Sequence, residues 1–501
     1  MGSCLEIYCE LLTQDTRLHL HWIESDRTGV AGSFYVTDRG WKRVSGWVIL
    51  CPLCVATAMA QAQSPPSAPD MAMEHDFQAA MAAQDRGDLR GAESMLIAIR
   101  RKHPGLFSVD ESLGLLYVAS EQFAAALPIL KAAAHEKPSS DLAHANLGTD
   151  YLKLGSNAEA VHELQIAVKL NPNNKAAQSN LGQSLASNGQ PAEAAKVFGR
   201  AVRLDPTNWD LRYNWAAVLL DAGDADQAAA ALAPVPNQET MPQLQTLLGE
   251  ISEKQGRFVD AAQHLQLAVK LDPSEPNLYL LGLEFLKHWT FEQAVRFFEY
   301  GVGHYPSSQR MLLGLGIARY AMNQLGPAAS IFAQLLDADP ENATYAILLG
   351  KSCTLMPDSI KECEKLERFA ATDPKHAEVD TYAAMSILAR SPETANLTLA
   401  AKLLDEAIEA DPKLPEAHLQ KGFLLQSQDR WQESIPELEA SAALRPESSK
   451  AHYLLMLAYS RTGKREKAQE EMVLQKKYRA QEREGSDARY KEVSMFVVVS
   501  P

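Results

Sequence analysis

The chain contains the types of side chain that most often take part in catalysis or metal binding, but their spacing forms no recognisable motif. The chain has 501 residues with 13 histidines and six cysteines, and no metal-ligand spacing links them. His144, His418 and His452 stand at one position of an internal repeat, which indicates packing rather than a metal site. Gly314 and Gly316 lack the rest of a dinucleotide-binding motif, and neither a P-loop nor a nucleophile elbow is present. The sequence therefore predicts no catalytic residue, no metal site and no cofactor.

Three asparagines recur at a spacing of 34 residues, at Asn146, Asn180 and Asn214. A primary amide offers both a hydrogen-bond donor and an acceptor. A row of amides can therefore hold the backbone of an extended peptide whatever its side chains are. The alternative interpretation is that each asparagine only ties one repeat to the next, and the sequence leaves both interpretations open.

Apolar residues take the equivalent positions further along the chain. They are Tyr279, Leu280, Leu283, Leu313, Ile317 and Tyr320. An exposed apolar surface of this kind suits the hydrophobic side chains of a protein partner. The two sets of residues together predict a binding groove with a polar part and an apolar part.

A regular spacing of prolines defines the elements that position these residues. From Pro104 to Pro206 the prolines stand 34 residues apart, and the spacing continues, with small insertions or deletions, to Pro446. Within an interval, small and apolar residues follow the i, i+3, i+4 spacing of two amphipathic helices. A glycine such as Gly155 separates the two helices, and the proline ends the second. Each interval is therefore predicted to be a helical hairpin.

The unit that contains Leu147, Gly148, Tyr151, Ala160 and Pro172 resembles the tetratricopeptide repeat. The resemblance covers nearly everything after residue 70. It implies an all-α fold, a right-handed α-solenoid of about twelve tetratricopeptide hairpins without a separate globular core. It also implies that the first helix of each unit lines an open surface that binds a peptide or a protein.

Two units depart from the pattern, and we expect local irregularity in both. One follows Pro206 and ends at Thr240 without its proline. The other precedes Pro412 and carries an insertion within residues 390–398.

The N-terminal region has the order of a secretory signal peptide. Trp41 and the positive charges of Lys42 and Arg43 precede an apolar run at 44–59 and a small-residue cleavage site. We expect a signal peptide over 41–62, cleaved after Ala60 or Ala62, a linker over 63–72, the solenoid over 73–475, and a capping helix with a tail over 476–501. Residues 1–40 are expected to be an extension or to precede the true start. The protein is expected to be exported, either periplasmic or secreted. An uncleaved signal anchor is the alternative, and the only predicted contact with a membrane.

Four of the six cysteines lie in the predicted signal peptide or in the repeats. Cys51 and Cys54 lie in the apolar run, where thiols are acceptable hydrophobic residues. After cleavage, Cys353 and Cys363 remain, in a compartment that permits disulfides. We interpret both as buried thiols, because the repeat places them nearly a turn out of alignment. A disulfide between them is the alternative.

The charge balance argues against a nucleic-acid partner. Residues 1–62 hold 5 Lys or Arg and 6 Asp or Glu, which leaves 43 basic against 57 acidic residues in the remainder. Binding to phosphates needs clustered cations. We expect a scaffold that binds a peptide or protein partner in its groove, in the assembly of an envelope or secretion complex. The alternative is the substrate-recruiting subunit of an enzyme, such as a glycosyltransferase, encoded as a separate chain.

Overall fold

The computed structural model describes residues 68–356, 361–372, 376–390 and 394–494. It divides into two compact units, the first ending at Gly223 and the second beginning at Asp224. The predicted signal peptide and the residues before it lie outside the described residues, and so does the tail 495–501.

The first unit contains nine helices in the part of the chain that the structure describes. In chain order they are α1 (Ala68–Asp85), α2 (Leu89–Lys102), α3 (Phe107–Ala119), α4 (Phe123–Glu136), α5 (Asp141–Lys153), α6 (Asn157–Leu170), α7 (Lys175–Ser187), α8 (Pro191–Leu204) and α9 (Trp209–Asp221).

The described residues of the second unit form fifteen further helices and one short 3-10 helix, Gln238–Thr240. The α-helices are α10 (Ala225–Leu232), α11 (Pro242–Lys254), α12 (Phe258–Leu271), α13 (Glu275–Lys287), α14 (Phe291–His304), α15 (Gln309–Ala321), α16 (Leu325–Ala338), α17 (Ala343–Cys353), α18 (Cys363–Thr372), α19 (Ala377–Arg390), α20 (Thr394–Ala410), α21 (Pro415–Ser427), α22 (Trp431–Leu444), α23 (Ser449–Arg461) and α24 (Arg465–Ser494).

Local signals determine where the helices begin and turn. The Ser140 hydroxyl accepts a hydrogen bond from the backbone N–H of Ala143 at 3.2 Å and so caps α5. Asn174 caps α7 in the same way, through the N–H of Ala177 at 3.0 Å. Gly155, between α5 and α6, has a φ of +74°, a left-handed conformation that glycine adopts without strain.

Small residues allow the two helices of a pair to pack directly on each other. A Cβ atom at Gly148 would lie 2.5 Å from Leu164 Cγ, and one at Gly182 would lie 2.8 Å from the Phe198 ring. Leu164 and Phe198 are themselves buried. The core of each unit therefore lies between paired helices, and within a unit successive pairs also pack on each other.

The expected fold is confirmed. Among the described residues, helices α1 to α8 and α11 to α24 form eleven successive packed pairs, and no β-strand is present. The irregularity expected after Pro206 is present, because α10 has only eight residues and the 3-10 helix follows it. In the second irregular unit, α20 extends over 17 residues.

The interpretation of Cys353 and Cys363 as free thiols is wrong. The structure joins them in a disulfide, with a Cα–Cα distance of 5.8 Å. The reason is that this helix pair does not have the standard lengths: α17 ends at Cys353 after 11 residues, and α18 begins at Cys363 and has 10 residues. Both cysteines therefore lie where the chain turns, facing each other.

The ends of the described chain differ from the expected boundaries. Helix α1 begins at Ala68, so part of the predicted linker 63–72 is helical. Helix α24 runs without interruption from Arg465 to Ser494, and the predicted boundary between 475 and 476 falls inside it. Its later residues still pack on α23, because the rings of Tyr478 and His452 stack at 5.4 Å. Among the described helices, none has the length and apolar character of a membrane span.

Candidate functional site

The three repeated asparagines stand at matching places in the first unit. Asn146, Asn180 and Asn214 are each the sixth residue of a first helix, in α5, α7 and α9, and each is partly exposed. These helices are successive neighbours, with α5 against α7 and α7 against α9. The structure therefore brings the three side chains to one face of the first unit, and we refer to them as the amide row.

The three members of the amide row differ in the hydrogen bonds that their side chains make. Asn180 Nδ2 donates to Thr149 Oγ1 of the preceding pair at 2.8 Å, and the Thr149 hydroxyl donates in turn to the Ala145 carbonyl. Within the described part of the chain, the side chains of Asn146 and Asn214 make no hydrogen bond. One amide therefore ties two repeats together, whereas the other two keep their donors and acceptors for another molecule.

The predicted apolar residues lie in the second unit, on α13 and α15. Leu283 is only 7% exposed, so it offers little surface to a ligand. Tyr279 is partly exposed, with its ring 6.2 Å from that of Phe298 and under the guanidinium of Arg310. The remaining members are partly exposed and are Leu280, Leu313, Ile317 and Tyr320. Helices α13 and α15 contact each other, so these residues share a neighbourhood within their own unit.

The three repeated histidines make the same pair of hydrogen bonds in three different helix pairs. In each, Nδ1 contacts a glutamate 19 residues later at 2.6 to 2.7 Å, and Nε2 contacts the carbonyl of the proline six residues earlier at 2.7 to 3.1 Å. The sets are His144 with Glu163 and Pro138, His418 with Glu437 and Pro412, and His452 with Glu471 and Pro446. Each buried ring thus joins both helices of its pair and the preceding turn, which explains the repetition through packing.

A cluster of buried charges in the second unit was missed by the sequence analysis. His288 Nε2 lies 3.2 Å from Glu253 Oε2 and 3.4 Å from Glu284 Oε1, and Lys287 Nζ lies 3.7 Å from Glu253 Oε1. Glu284 and His288 are one helical turn apart, a signal that the sequence contained. Glu253 belongs to the preceding helix pair, so its proximity could not be read from spacing alone.

The charge cluster raises the pKa values of two of its members. Burial disfavours the charged form of His288, but hydrogen bonds to Glu253 and Glu284 outweigh burial and raise its pKa to about 9. Burial also raises the pKa of the Glu284 carboxyl. One ligand atom from each of Glu253, Glu284 and His288 lies within 4.8 Å of the others, an arrangement that can hold a cation. The positive charges of His288 and Lys287 already offset the carboxylates, so an internal ion cluster accounts for the geometry.

Asp150, on α5, is a buried carboxyl group with no hydrogen-bond partner among the described residues. Its exposure is 0%, and neither oxygen accepts a hydrogen bond. Burial raises its pKa to about 6. In the next two repeats the equivalent residues are Ser184 and Val218, which carry no charge. The first unit therefore contains a carboxyl group whose charged form is disfavoured by burial, on the same helix as Asn146 of the amide row.

Comparison with protein families identifies the repeats directly. Residues 77–141 and 145–209 match a family model described as a tetratricopeptide repeat, and residues 185–251 match a second model of the same description. The chain therefore contains tetratricopeptide repeats. Residues 366–481 match a model described as a bacterial transcriptional activator domain, and in this structure that stretch consists of helix pairs from α18 to α24.

Solved structures give more distant likenesses. The Naa15/Naa10 complex bound to HypK-THB is 16% identical, with a TM-score of 0.33, and the match covers 80% of this chain and 68% of that one. For the APC/C hetero-tetramer Cut9–Hcn1 the identity is 12%, the TM-score 0.36 and the coverage 84% and 96%. PilF of Pseudomonas aeruginosa is 18% identical, with a TM-score of 0.35 and coverage of 42% and 96%. No curated protein matches the chain.

Proposed function

We propose that this protein is a scaffold that binds an extended segment of a protein partner along the first helices of its repeats. The observation that carries the proposal is the pair of unengaged amides, Asn146 and Asn214, at one position of the repeat. Arrays of helical repeats expose extended surfaces that commonly bind proteins. An amide can donate to a backbone carbonyl and accept from a backbone N–H of the same peptide.

The second unit carries a separate surface for hydrophobic contacts with a partner. Leu313, Ile317 and Tyr320 are partly exposed on α15, and such residues suit the apolar side chains of a bound segment. Backbone contacts at the amide row would supply affinity for many sequences, whereas the apolar residues would select among them. The proposal includes no catalytic step.

We further propose that the protein works outside the cytoplasm. The charged, apolar and small-residue order of residues 41–62 supports export. The Cys353–Cys363 disulfide is also in keeping with an oxidising compartment, because disulfides persist there and are rare in the cytosol. N-terminal sequencing of the native protein tests export, with a first residue just after Ala60 or Ala62 as the expected result. A native protein that retains residues 1–62 would contradict it.

Site-specific photo-crosslinking tests the binding surface. A photoreactive amino acid placed at Asn146 or Asn214 in the native organism is expected to capture the same partner. The matched control carries the same amino acid at His162, which is exposed on the second helix α6, and is expected to capture little of it. Equal capture from His162 and from the amide row would contradict the proposed surface.

The match of residues 366–481 to a bacterial transcriptional activator domain favours a second candidate function. In this alternative, the helix pairs from α19 onward bind another protein within a transcription complex. Cell fractionation separates the two candidates: the scaffold is expected outside the cytoplasm, whereas a transcription factor is expected with the chromosome. The excess of acidic residues beyond residue 62 disfavours direct contact with DNA, because phosphate binding needs clustered cations.

A further inference from the structure

A cavity in the first unit is lined mainly by residues of second helices. Its volume is about 560 Å³, and residues of α6, α7 and α8 line it together with the turn at Pro172. Ligand-binding pockets usually have volumes of about 300–1,000 Å³. The size therefore suits a small organic molecule.

Three cationic side chains line the cavity, and no acidic side chain does. They are Lys169 on α6, and Arg200 and Arg203 on α8. In the described part of the chain, none of the three makes an ion pair or a side-chain hydrogen bond. Many other cations of this chain are paired, such as Arg310 with Glu275. All three side chains are exposed. In a protein with a net charge of −15, three cations that line one cavity without an acidic partner offer a local site for an anion.

The buried side-chain amide of Gln178 has an oxygen that receives no hydrogen bond from the described residues. Gln178 lines the cavity, is 2% exposed, and donates from Nε2 to the Pro172 carbonyl at 3.1 Å. Its Oε1 accepts no hydrogen bond among the described residues. A buried acceptor without a partner costs free energy. Because this oxygen is itself closed to solvent, a molecule in the cavity donates an N–H or O–H to it only if the Gln178 side chain turns toward the cavity.

Comparison of the repeats explains why Gln178 lacks a partner. It occupies the place of His144, His418 and His452, whose glutamate partners stand 19 residues later. At that distance from Gln178 the chain has Val197. The usual bond across the helix pair is therefore absent in this repeat, in which Gln178 lines the cavity.

Apolar side chains complete the lining. Val168, Leu181 and Leu204 line the same cavity. Leu181 is buried, and the other two are partly exposed. They provide a surface that favours an apolar group over water.

We propose that this cavity binds a small amphiphilic anion: a molecule with one carboxylate or phosphate-like head, one N–H or O–H donor next to it, and an aliphatic body. The head lies among Lys169, Arg200 and Arg203. The donor bonds to Gln178 Oε1, and the body contacts Leu181 and Leu204. An N-acylated amino acid has all three features in one small molecule.

Three probes of equal shape test the proposal on the full chain by isothermal titration calorimetry. They are N-acetyl-leucine, its phosphonate analogue and N-acetyl-leucinamide. Both anions are expected to bind, and the neutral amide at least tenfold more weakly, because it lacks the charge that the cations neutralise. The tighter of the two anions identifies the head group.

Two variants locate the binding site. Replacing both Arg200→Gln and Arg203→Gln is expected to weaken binding of the tighter anion at least tenfold, and Gln178→Leu at least threefold. The matched control is Lys196→Gln, which removes an exposed charge from α8 outside the cavity and is expected to change the affinity less than twofold. Circular dichroism verifies that each variant keeps the helical signal.

Several results would overturn the proposal. One is equal affinity for the anions and the amide, since the cations would then play no part. Another is unchanged binding in the folded double arginine variant. A third is the absence of binding by all three probes up to 10 mM, roughly the weakest affinity that a site with three cations should show.

Discussion

The buried polar residues of the repeats differ in whether their side chains have hydrogen-bond partners. His144, His418 and His452 are each satisfied by a glutamate and a proline carbonyl. Asp150 instead has no partner, although it is fully buried. The same helix pattern thus contains positions that stabilise a helix pair and one that destabilises it.

Asp150→Ser is expected to raise stability at neutral pH. Because the native pKa of about 6 lies above the ordinary value of 3.8, the native state holds its proton more tightly. The buried charge therefore lowers the free energy of unfolding as the pH rises from about 4 through 6, by roughly 1–3 kcal/mol in total. Urea unfolding at pH 4 and pH 7 measures it, and the gain from the substitution should appear mainly at pH 7.

Asp141→Ser is a control for which a change in stability of opposite sign is expected. The Asp141 carboxylate accepts hydrogen bonds from the side-chain amides of Asn171 and Asn174 at 2.8 and 3.1 Å, which lower its pKa. Asp141→Ser should therefore lose stability, and more at pH 7 than at pH 3. A pH-independent effect of Asp150→Ser would contradict the burial of an ionised carboxyl group.

His288→Gln is expected to remove a stabilising contribution that depends on pH. The native pKa of about 9 lies above the ordinary 6.5, so the contribution is fully present below pH 6.5 and is lost as the pH rises through 9. The urea midpoints of the parent and the variant should differ most at pH 6 and converge by pH 10. The matched control is the exposed His135, replaced in the same way. A constant difference across this range would argue against the ion cluster.

At the scale of helices, the sequence predicted the standard parts better than the exceptions. The proline spacing and residues such as Gly148 and Gly155 predicted helix pairs, and the structure has them. The disulfide was missed because α17 and α18 are shorter than the repeat pattern assumes. The Glu253 contact was missed because it joins neighbouring pairs, a distance that one-dimensional spacing does not fix. The amides were predictable by position, but the Asn180–Thr149 bond required the packed geometry.

The disulfide is expected to stabilise the pair formed by α17 and α18. It closes a loop with a sequence separation of 10, for which chain entropy predicts a contribution of about 2–3 kcal/mol. A double Cys353→Ser, Cys363→Ser variant should therefore unfold at lower urea concentration, and reduced parent protein should match it. Peptide-resolved alkylation of the denatured, unreduced protein provides the direct check. Labelling of both cysteines there would contradict the disulfide.

At the scale of the whole molecule, repetition makes stability additive. Each pair packs mainly on its neighbours in the chain, so stability is expected to be a sum of pair and interface contributions. The same arrangement separates the two proposed sites within the first unit: the amide row lies on first helices, whereas the cationic cavity is formed mainly by second helices. A substitution at one site can therefore test it without removing the other.

Deletion of one complete repeat, Asp141–Asn174, is expected to leave a folded and shorter chain. Ser140 would then precede Lys175, so a capping serine still begins the next helix. Circular dichroism should show the same helical signal per residue. As a control, deletion of residues 141–156 removes only the first helix of the pair, exposes its partner's apolar face, and should lower the unfolding midpoint strongly. Collapse of the helical signal in the whole-repeat deletion would show that the repeats fold only as one cooperative body.

The central claim is that the unengaged amides bind the partner, and the affinity of the crosslinked partner for an Asn146→Ala, Asn214→Ala variant tests it most directly. At about 0.5–1.5 kcal/mol for each lost hydrogen bond, the variant should bind roughly 5- to 150-fold more weakly. Its helical signal should be unchanged, because neither amide bonds to another described residue. The control Thr149→Val removes the contact with Asn180 but leaves the amide row, and should alter the affinity less than threefold. Unchanged binding by the folded double variant would contradict the account.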